Sequence, residues 1–404
     1  MDLKSGMPFW LARNGLLHSY PRLQEAVDCD VLVVGAGITG ALIGDHLARA
    51  GMSVCLIDRR EAGWGSTSAS TALVQYEIDT ELQSLRDRYG LRNALLAYRH
   101  CLRAVECLRD LAVSLRGVDF RPMQSLYFAS HWYHKRRLEK EATLRKKHRF
   151  ALDLLDRDTL NARFGIDAPV ALLTSVAAQT DPYQFAQRLL RHVVSLGGRV
   201  HGRTALERFE PVRGGVQVWT DSDIVIRCRQ LVFAAGYECQ SWLDEKVASN
   251  RSSYVFASEP LPGQLGPFRR TLVWESARPY LYMRSTSDQR LIVGGEDDRI
   301  DIPARRDARV DDKAEKLLRR VEKLLPQLPL RIAFAWAGTF AETKDGLPYF
   351  GPHEQHGPNV HFAMAYGGNG TTYSLIGAEL LRDHFLGKRH PCAALFGFGR
   401  RRRH

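Results

Sequence analysis

A glycine-rich turn between an apolar run and a helical pattern constrains the fold of this chain more than any other feature. The stretch reads DVLVVGAGITGALIGDHLARAGMSVCLIDRR over residues 30–60. Residues 31–34 are apolar and mostly β-branched, which predicts a buried strand. Residues 38–50 carry apolar side chains at helical spacing, and Gly51 is suited to end that helix. A strand, a glycine turn and a helix in this order are typical of a nucleotide-binding βαβ unit.

The three glycines of this turn have different roles in such a unit. Gly35 permits the tight turn, Gly37 leaves room for a phosphate to approach the backbone, and Gly40 lets the helix pack closely on the strand. The first amides of the helix then face an anion. Asp58 ends the return strand of residues 54–57, where a carboxylate can accept the ribose hydroxyls of a dinucleotide. We therefore predict a dinucleotide site, with a purely structural glycine turn as the alternative.

Two arginines, Arg59 and Arg60, follow this acid. In a nicotinamide enzyme they could indicate recognition of a 2′-phosphate. We favour the simpler interpretation that they are solvated charges after a strand.

Length and composition set wide limits on the rest of the chain. The 404 residues are 45% hydrophobic, which suits one large globular unit or two interleaved domains. We find no apolar run of about eighteen residues and therefore expect no membrane span. The N-terminal residues lack a continuous apolar segment and a cleavage site, so we expect no signal peptide. Phe9, Trp10 and Tyr20 belong to an N-terminal extension that we expect to lie over the surface.

Cysteine, histidine and charge patterns point to a cytoplasmic protein without a metal. The seven cysteines form no CxxC pair, which is typical of reduced thiols. The histidines lack metal-ligand spacing, so no metal site is expected. The net charge of +12 is spread along the chain, and the last residues read GFGRRRRH. We favour solubility and general electrostatics over a polyanionic partner as the meaning of this charge.

Strand and helix patterns split the nucleotide-binding unit into pieces. Alternating, strand-like segments interrupt the α/β pattern, which favours one α/β domain with a second, sheet-rich domain inserted into it. The predicted division is an N-terminal extension at 1–29, a discontinuous nucleotide-binding domain at 30–85, 160–250 and 330–395, a substrate or cap domain at 86–159 and 251–329, and a basic tail at 396–404.

Four motifs occur in the order found in one superfamily. They are the glycine turn, GWGSTSASTALV (63–74), LVFAAGYECQSWL (231–243), and the pair GTFAETKDGLPYFG (338–351) and AMAYGGNGTTYSLIGAELL (363–381). From about residue 28 to 390 the chain resembles the D-amino-acid-oxidase-like FAD-dependent oxidoreductases, which include glycine, sarcosine and γ-glutamylputrescine oxidases. The resemblance implies an α/β fold: a glutathione-reductase-type FAD-binding domain with a Rossmann-like βαβ unit and mixed sheet, and an inserted substrate domain of antiparallel sheet plus helices.

The resemblance also assigns roles to matched positions. The glycine turn would cradle the pyrophosphate, Asp58 would hold the ribose, and the turn 367–372 would reach the flavin pyrimidine edge through the amides of Gly368 and Gly370. The full set of implied cofactor-binding residues is Gly35, Ala36, Gly37, Ile38, Thr39, Gly40, Asp58, Arg59, Gly65, Ser66, Thr67, Thr71, Ala72, Leu73, Leu206, Ala234, Ala235, Gly236, Gly338, Gly367, Gly368, Asn369, Gly370, Thr371 and Thr372.

Departures from the family pattern are equally informative. Neither the 63–74 segment nor the C-terminal loop has a histidine or cysteine at a known attachment position, so we expect non-covalent FAD. Ile292 stands where sarcosine-oxidase-like members carry a lysine that activates oxygen, which leaves oxygen or another electron acceptor open. Thr372 and Ala72 replace the usual basic residues that clamp a substrate carboxylate.

The implied reaction is oxidation of a C–N bond of an amine or amino acid. A hydride passes from the carbon beside nitrogen to flavin N5, and the imine is hydrolysed to a carbonyl compound and an amine. Strand alternation puts Tyr280, Tyr282 and Arg284 on one face, where Tyr282 and Arg284 are the candidates for substrate binding and Arg284 the first choice to clamp a carboxylate. A solvent-facing strand edge is the alternative. Residues 75–77, Gln-Tyr-Glu, could also line the pocket.

Two other functions remain open. A flavin monooxygenase or hydroxylase also begins with this glycine turn, but a second glycine-rich fingerprint for NADPH is not evident. A nucleic-acid-associated flavoprotein acting on modified tRNA would suit the basic charge, although no RNA-recognition motif accompanies it. We favour a small-molecule amine or amino acid as the substrate.

Overall fold

The computed structural model describes residues 2–300, 302–364 and 366–403, which form two mixed β-sheets with helices packed on them. In chain order the strands are β1 (Lys4–Gly6), β2 (Val27–Val34), β3 (Val54–Ile57), β4 (Leu73–Gln75), β5 (Arg121–Phe128), β6 (Asp153–Asp156), β7 (Val170–Gln179), β8 (Arg199–His201), β9 (Leu206–Val212), β10 (Gly215–Thr220), β11 (Val225–Phe233), β12 (Ser249–Ser258), β13 (Thr271–Glu275), β14 (Tyr282–Ser285), β15 (Leu291–Asp298), β16 (Ile332–Glu342), β17 (Tyr349–Pro352) and β18 (Val360–Met364).

The helices lie between these strands in the same stretch of sequence. They are α1 (Phe9–Asn14), α2 (Ile38–Arg49), α3 (Ser66–Ala69), α4 (Leu82–Leu115), α5 (Lys135–Lys147), α6 (Arg157–Phe164), α7 (Pro182–Ser195), α8 (Pro303–Asp307), α9 (Val310–Leu324), α10 (Gly370–Phe385) and α11 (Ala393–Phe396). Within α4 the backbone leaves the helical region at Gly90, which has φ 75° and ψ 159°, so α4 is two helices joined at a kink. None of the described helices is both long enough and apolar enough to cross a bilayer.

The smaller sheet contains the predicted βαβ unit. Its strands run in the order β17-β18-β11-β2-β3-β8, and the hairpin β9–β10 is attached through β10 to β11. Strands β18, β11, β2, β3 and β8 are parallel to one another, which places their carboxyl ends at one edge of the sheet. Helix α2 packs against α7 and α10, and its buried face belongs to the main hydrophobic core. This edge is where a parallel α/β sheet holds its ligands.

The larger sheet runs in the order β1-β16-β12-β15-β14-β13-β5-β7-β4, with β6 paired to β7. Its membership differs from the predicted domain boundaries at three strands: β4, β7 and β16 were assigned to the nucleotide-binding segments but pair in this sheet. An alternating strand pattern shows that a strand has one buried face but not which sheet it joins, so sequence alone did not separate them.

The two chain ends are built into the fold, which corrects the expectation that residues 1–29 lie over the surface. β1 pairs with β16, and Phe9, Trp10 and Tyr20 are buried. In the predicted basic tail, Arg400 is buried and its guanidinium lies 2.8 Å from the Asp345 carboxylate. His404, the last residue of that tail, lies outside the described residues.

Candidate active site

Two adjoining cavities open at the carboxyl edge of the smaller sheet, with volumes of about 560 Å³ and about 140 Å³. The larger cavity runs along the glycine turn and the ends of β2, β3 and β11. The smaller cavity lies against β12, β14, β15 and β16 of the other sheet. The residues that line both cavities are Ser66, Ser70, Tyr237, Gly370 and Thr371. A ligand in the larger cavity can therefore extend to the mouth of the smaller one.

The glycine turn has the geometry that the sequence predicts. Gly35 has φ +110°, and a Cβ there would lie 2.4 Å from the Ala234 carbonyl oxygen. A Cβ on Gly40 would lie 1.8 Å from the Gly35 carbonyl oxygen, because α2 packs tightly against the turn. Gly37 instead has φ −76° and lines the larger cavity. Gly35 and Gly40 are therefore needed for the fold itself, whereas the missing side chain of Gly37 leaves space in the cavity.

The N-terminus of α2 faces the same cavity. Its N-cap is Gly37, which has no side chain to bond the first amides. Thr67 Oγ1 accepts a hydrogen bond from the Ile38 N–H at 2.9 Å, which ties the 65–67 loop to this helix end. The Ser66 hydroxyl is buried at the junction of the two cavities and has no hydrogen-bond partner within the described part of the chain. Amides and a hydroxyl of this kind are suited to phosphate oxygens.

Asp58 is held rigidly at the end of β3. One carboxylate oxygen accepts the Ala36 N–H and the other accepts the Arg60 N–H, each at 2.8 Å. Burial raises the pKa of Asp58, and these two amide donors oppose the rise. Arg59 and Arg60 both form ion pairs with Glu238. Both arginines are thus paired with a carboxylate and line the larger cavity, rather than being the simply solvated charges expected from the sequence.

Most of the residues predicted to bind the cofactor line one of the two cavities. Those at the larger one are Gly35, Gly37, Ile38, Thr39, Asp58, Arg59, Gly65, Ser66, Thr67, Leu206, Ala234, Ala235, Gly236, Gly370 and Thr371. Those at the smaller one, apart from the shared residues, are Thr71, Ala72, Leu73, Gly338, Gly367, Gly368 and Asn369. Three of the set, Ala36, Gly40 and Thr372, line neither. Thr372 is buried and its hydroxyl bonds the Gln75 carbonyl oxygen at 3.1 Å.

The turn before α10 differs from its predicted role in one respect. The Gly368 N–H donates to the Asp79 carboxylate at 2.7 Å, so this amide is not available to a flavin. Asp79 also donates its own N–H to Asn369 Oδ1 at 3.2 Å, and Asn369 Nδ2 donates to the Glu77 carbonyl oxygen at 2.8 Å. This pairing could not be predicted from local sequence patterns, because Asp79 is almost three hundred residues away along the chain. The first turn of α10, beginning at Gly370, is the part that faces both cavities.

The smaller cavity combines aromatic walls with two carboxylates. Its aromatic residues are Tyr237, Trp274, Tyr280, Tyr282 and Phe340, and its acids are Asp79 and Asp297. None of the described residues that line it is a lysine, arginine or histidine. Burial raises the pKa of Asp297 to about 7; a hydrogen bond from Ser253 opposes the rise and the negative charge of Asp79 adds to it. Neither acid was predicted from the sequence: Asp297 is the second of three consecutive acids that follow the apolar part of β15, and the local pattern does not show which of them faces a cavity.

Arg284 is not at this cavity, and the prediction that it clamps a substrate carboxylate is wrong. Its side chain is buried, and the guanidinium donates to the carbonyl oxygens of Thr71 at 2.5 Å and Thr180 at 2.8 Å. It also lies 4.8 Å from the centre of the Trp10 ring, whose N–H bonds the Ser70 carbonyl oxygen at 2.8 Å. Burial lowers the pKa of Arg284 to about 9. Arg284 therefore holds the 70–71 loop in place from the side of the loop that faces away from the cavity.

Of the other residues predicted to contact the substrate, some line the smaller cavity and others do not. Tyr280 and Tyr282 line the smaller cavity, as does Gln75. Tyr76 and Glu77 do not: Glu77 is buried beside Arg145 and accepts the Thr174 hydroxyl at 2.7 Å. Strand β4 ends at Gln75, so Tyr76 and Glu77 do not continue its side-chain alternation, and of the three only Gln75 lines the cavity.

Comparison with known proteins identifies the family. A family model described as FAD dependent oxidoreductase (DAO) matches residues 30–384. The chain belongs to this family. It is therefore an FAD-dependent oxidoreductase, and FAD, bound non-covalently, is its cofactor. In keeping with this, no cysteine or histidine is among the described residues that line either cavity.

Individual relatives agree in sequence and in fold. Gamma-glutamylputrescine oxidoreductase of Escherichia coli (strain K12) is 25% identical over 388 residues, which cover 91% of this chain and 86% of that protein. Glycine oxidase of Bacillus licheniformis is 24% identical over 361 residues, covering 89% and 93% respectively. The crystal structure of glycine oxidase from Geobacillus kaustophilus superposes with a TM-score of 0.77 at 19% identity and covers 92% of this chain and 98% of that one. The FAD-enzyme fold predicted from sequence is confirmed.

Proposed function

We propose that this oxidoreductase removes two electrons from the C–N bond of an amine or amino acid. The observation that carries the proposal is the junction of the two cavities at Ser66, Gly370 and Thr371. The larger cavity has the shape and donors for a dinucleotide, and the smaller one has room and aromatic walls for an organic amine. The relatives named for glycine and γ-glutamylputrescine support the same class of substrate.

The chain's residues fit FAD in the larger cavity. The gap at Gly37 and the N-terminus of α2, whose N-cap residue has no side chain, would hold the pyrophosphate, and Asp58 would hold the ribose. The unpartnered Ser66 hydroxyl would bond the middle of the cofactor. The first turn of α10 would face the flavin end, where its positive dipole end favours the negative charge that develops on reduction. When bound, the flavin supplies the redox chemistry by accepting a hydride.

The chain's contribution to the reaction is to bind and orient the amine. The substrate loses a hydride from carbon and a proton from nitrogen, so that a C=N bond forms; water then adds to it and releases a carbonyl compound with ammonia from a primary amine, or with an amine from a secondary one. The walls formed by Trp274, Tyr280 and Tyr282 limit the water at the reacting carbon. Arg284 and Trp10 hold the 70–71 loop that separates the two cavities.

The test is an anaerobic reduction experiment with the purified yellow protein. Amines and amino acids are mixed with it, and the loss of the visible flavin absorbance is recorded; NADPH is added in a parallel sample. We expect at least one member of the amine and amino-acid panel to bleach the flavin while NADPH does not. Bleaching by NADPH alone would overturn the proposal and favour a monooxygenase.

A further inference from the structure

The smaller cavity presents hydrogen-bond acceptors that lack donors. Asp297 Oδ1 and Gln75 Oε1 are both buried at this cavity, and neither has a partner within the described residues. Gln75 is only 8% exposed, and its amide nitrogen points to the Glu77 carbonyl oxygen at 3.4 Å, which leaves its oxygen for the ligand. Buried acceptors without donors are costly, so a ligand that donates hydrogen bonds is favoured here.

The charge of the cavity has the same sign as these acceptors. Asp79 and Asp297 both line it, and Glu342 adds to the negative potential at Asp297. Neither of the two nearby arginines lines the cavity, and both have partners around it, although the charge of Arg278 partly offsets the negative potential at Asp297. The Arg278 guanidinium lies 4.4 Å from the centre of the Tyr280 ring and donates to the Asp79 carbonyl oxygen at 3.0 Å, and Arg251 pairs with Glu342. A substrate carboxylate would therefore meet carboxylates and find no cation among the described lining residues.

The aromatic walls complete the selectivity for a cation. Tyr280 and Tyr282 lie next to each other with ring centres 5.6 Å apart, and Trp274 stacks on Tyr127 behind the wall. Aromatic faces attract ammonium groups, most strongly where water is excluded. An alkylammonium ion therefore suits this cavity in three ways. It donates hydrogen bonds to the unpartnered acceptors, its positive charge opposes that of the carboxylates, and it can lie against the aromatic walls.

We propose that the substrate is a cationic amine without a carboxylate beside the reacting nitrogen, and that Asp297 and Asp79 are the residues that select it. This inference rests on the proposed function and names its substrate class. These two acids take the place of the substrate clamp that the sequence assigned to Arg284, because the side chains that select the substrate here carry negative charge. If the substrate carries further charged groups away from the reacting nitrogen, those groups would lie in the mouth of the cavity.

The test uses pairs of compounds that differ only by the carboxylate: 1,5-diaminopentane with lysine, and 2-phenylethylamine with phenylalanine. Binding to the FAD-loaded protein is measured anaerobically from the change in the flavin spectrum. We expect at least one amine to bind about tenfold or more tightly than its amino acid, a difference of about 1.4 kcal/mol. Equal or tighter binding of both amino acids, or no binding of either amine, would overturn the inference.

Variants test the assigned residue. Asp297→Asn keeps the size of the side chain and removes its charge, so we expect about a tenfold loss in amine affinity. Asp153→Asn, at an exposed acid on β6, is the matched control and should change nothing. An Asp297→Asn protein that binds amines as tightly as the wild type would overturn the role of Asp297. If that variant fails to fold, the paired compounds on the wild-type protein still decide the inference. Flavin bleaching by amino acids alone would retain the proposed function and refute only its substrate class.

Discussion

Replacing Gly37 by valine should abolish FAD binding without unfolding the protein. A Cβ at Gly37 would lie 2.8 Å from Thr67 Oγ1, which is the end of a side chain and not backbone. The backbone there has φ −76°, which valine can adopt. The branched methyl groups would occupy the cavity in front of the α2 amides, where we place the pyrophosphate.

The expected loss can be worked out from the bonds that valine would block. A hydrogen bond from an amide to a charged phosphate oxygen contributes about 1.5–3 kcal/mol. Blocking two such bonds would cost about 3–6 kcal/mol, or about two to four decades in the dissociation constant of FAD. Small changes in the Thr67 side chain would add to this cost, because Thr67 also bonds the Ile38 amide.

The assay has two readouts. FAD content is measured from the visible absorbance per protein, and FAD affinity is measured by calorimetry on the apoprotein, with circular dichroism as the check on folding. Gly40→Val is the contrasting variant and should not fold, since its Cβ would lie 1.8 Å from the Gly35 carbonyl oxygen. Gly399→Val is the control, because no atom lies within 4 Å of a Cβ placed there. A yellow, fully loaded Gly37→Val protein would refute the placement of the pyrophosphate.

Three further predictions concern the Arg284 guanidinium, the Asp297 carboxyl group and the bound flavin. Arg284→Ala leaves the Thr71 and Thr180 carbonyl oxygens without a buried donor, so the free energy of unfolding should fall by about 2–5 kcal/mol in denaturant titrations; unchanged stability with a higher KM for carboxylate substrates would instead restore the clamp. The folded-state pKa of Asp297 is raised from 3.8 to about 7, so the stability it contributes is present at low pH and lost as pH rises between these values. The Tm of the wild-type apoprotein should therefore fall relative to that of Asp297→Asn over this range, and parallel Tm curves would contradict the raised pKa. Acid precipitation should release all of the flavin into the supernatant, and colour in the pellet would show a covalent bond.

Many of the residues predicted to bind the cofactor line the larger cavity together because they are close together in the chain. The glycine turn, Asp58 and the 65–67 loop all lie within the first βαβ unit and its continuation, where local spacing fixes the geometry. The fold class followed from the same unit and from the strand patterns after it.

The residues of the smaller cavity could not be predicted as one site, because they are distant in the sequence and only the order of strands in the larger sheet brings them together. Asp79 follows β4, which is an edge strand of the larger sheet. Asp297 is the next-to-last residue of β15, which is an inner strand of the same sheet. Alternation correctly placed Tyr282 and Arg284 on one face of β14, but the N-terminal extension covers Arg284 with Trp10. The local sequence pattern of β14 does not show that the N-terminal extension, almost three hundred residues earlier, packs over part of its face.

The chemistry itself is tested most directly by the products of a single anaerobic turnover. The FAD-loaded protein is mixed with the amine or amino acid that bleaches it fastest, and the carbonyl compound and the released amine are both quantified against the flavin reduced. Oxidation of a C–N bond predicts one carbonyl compound for each flavin reduced, together with one ammonia from a primary amine or one amine from a secondary amine. Flavin reduction without a matching carbonyl product would contradict the assignment of this site to C–N bond oxidation.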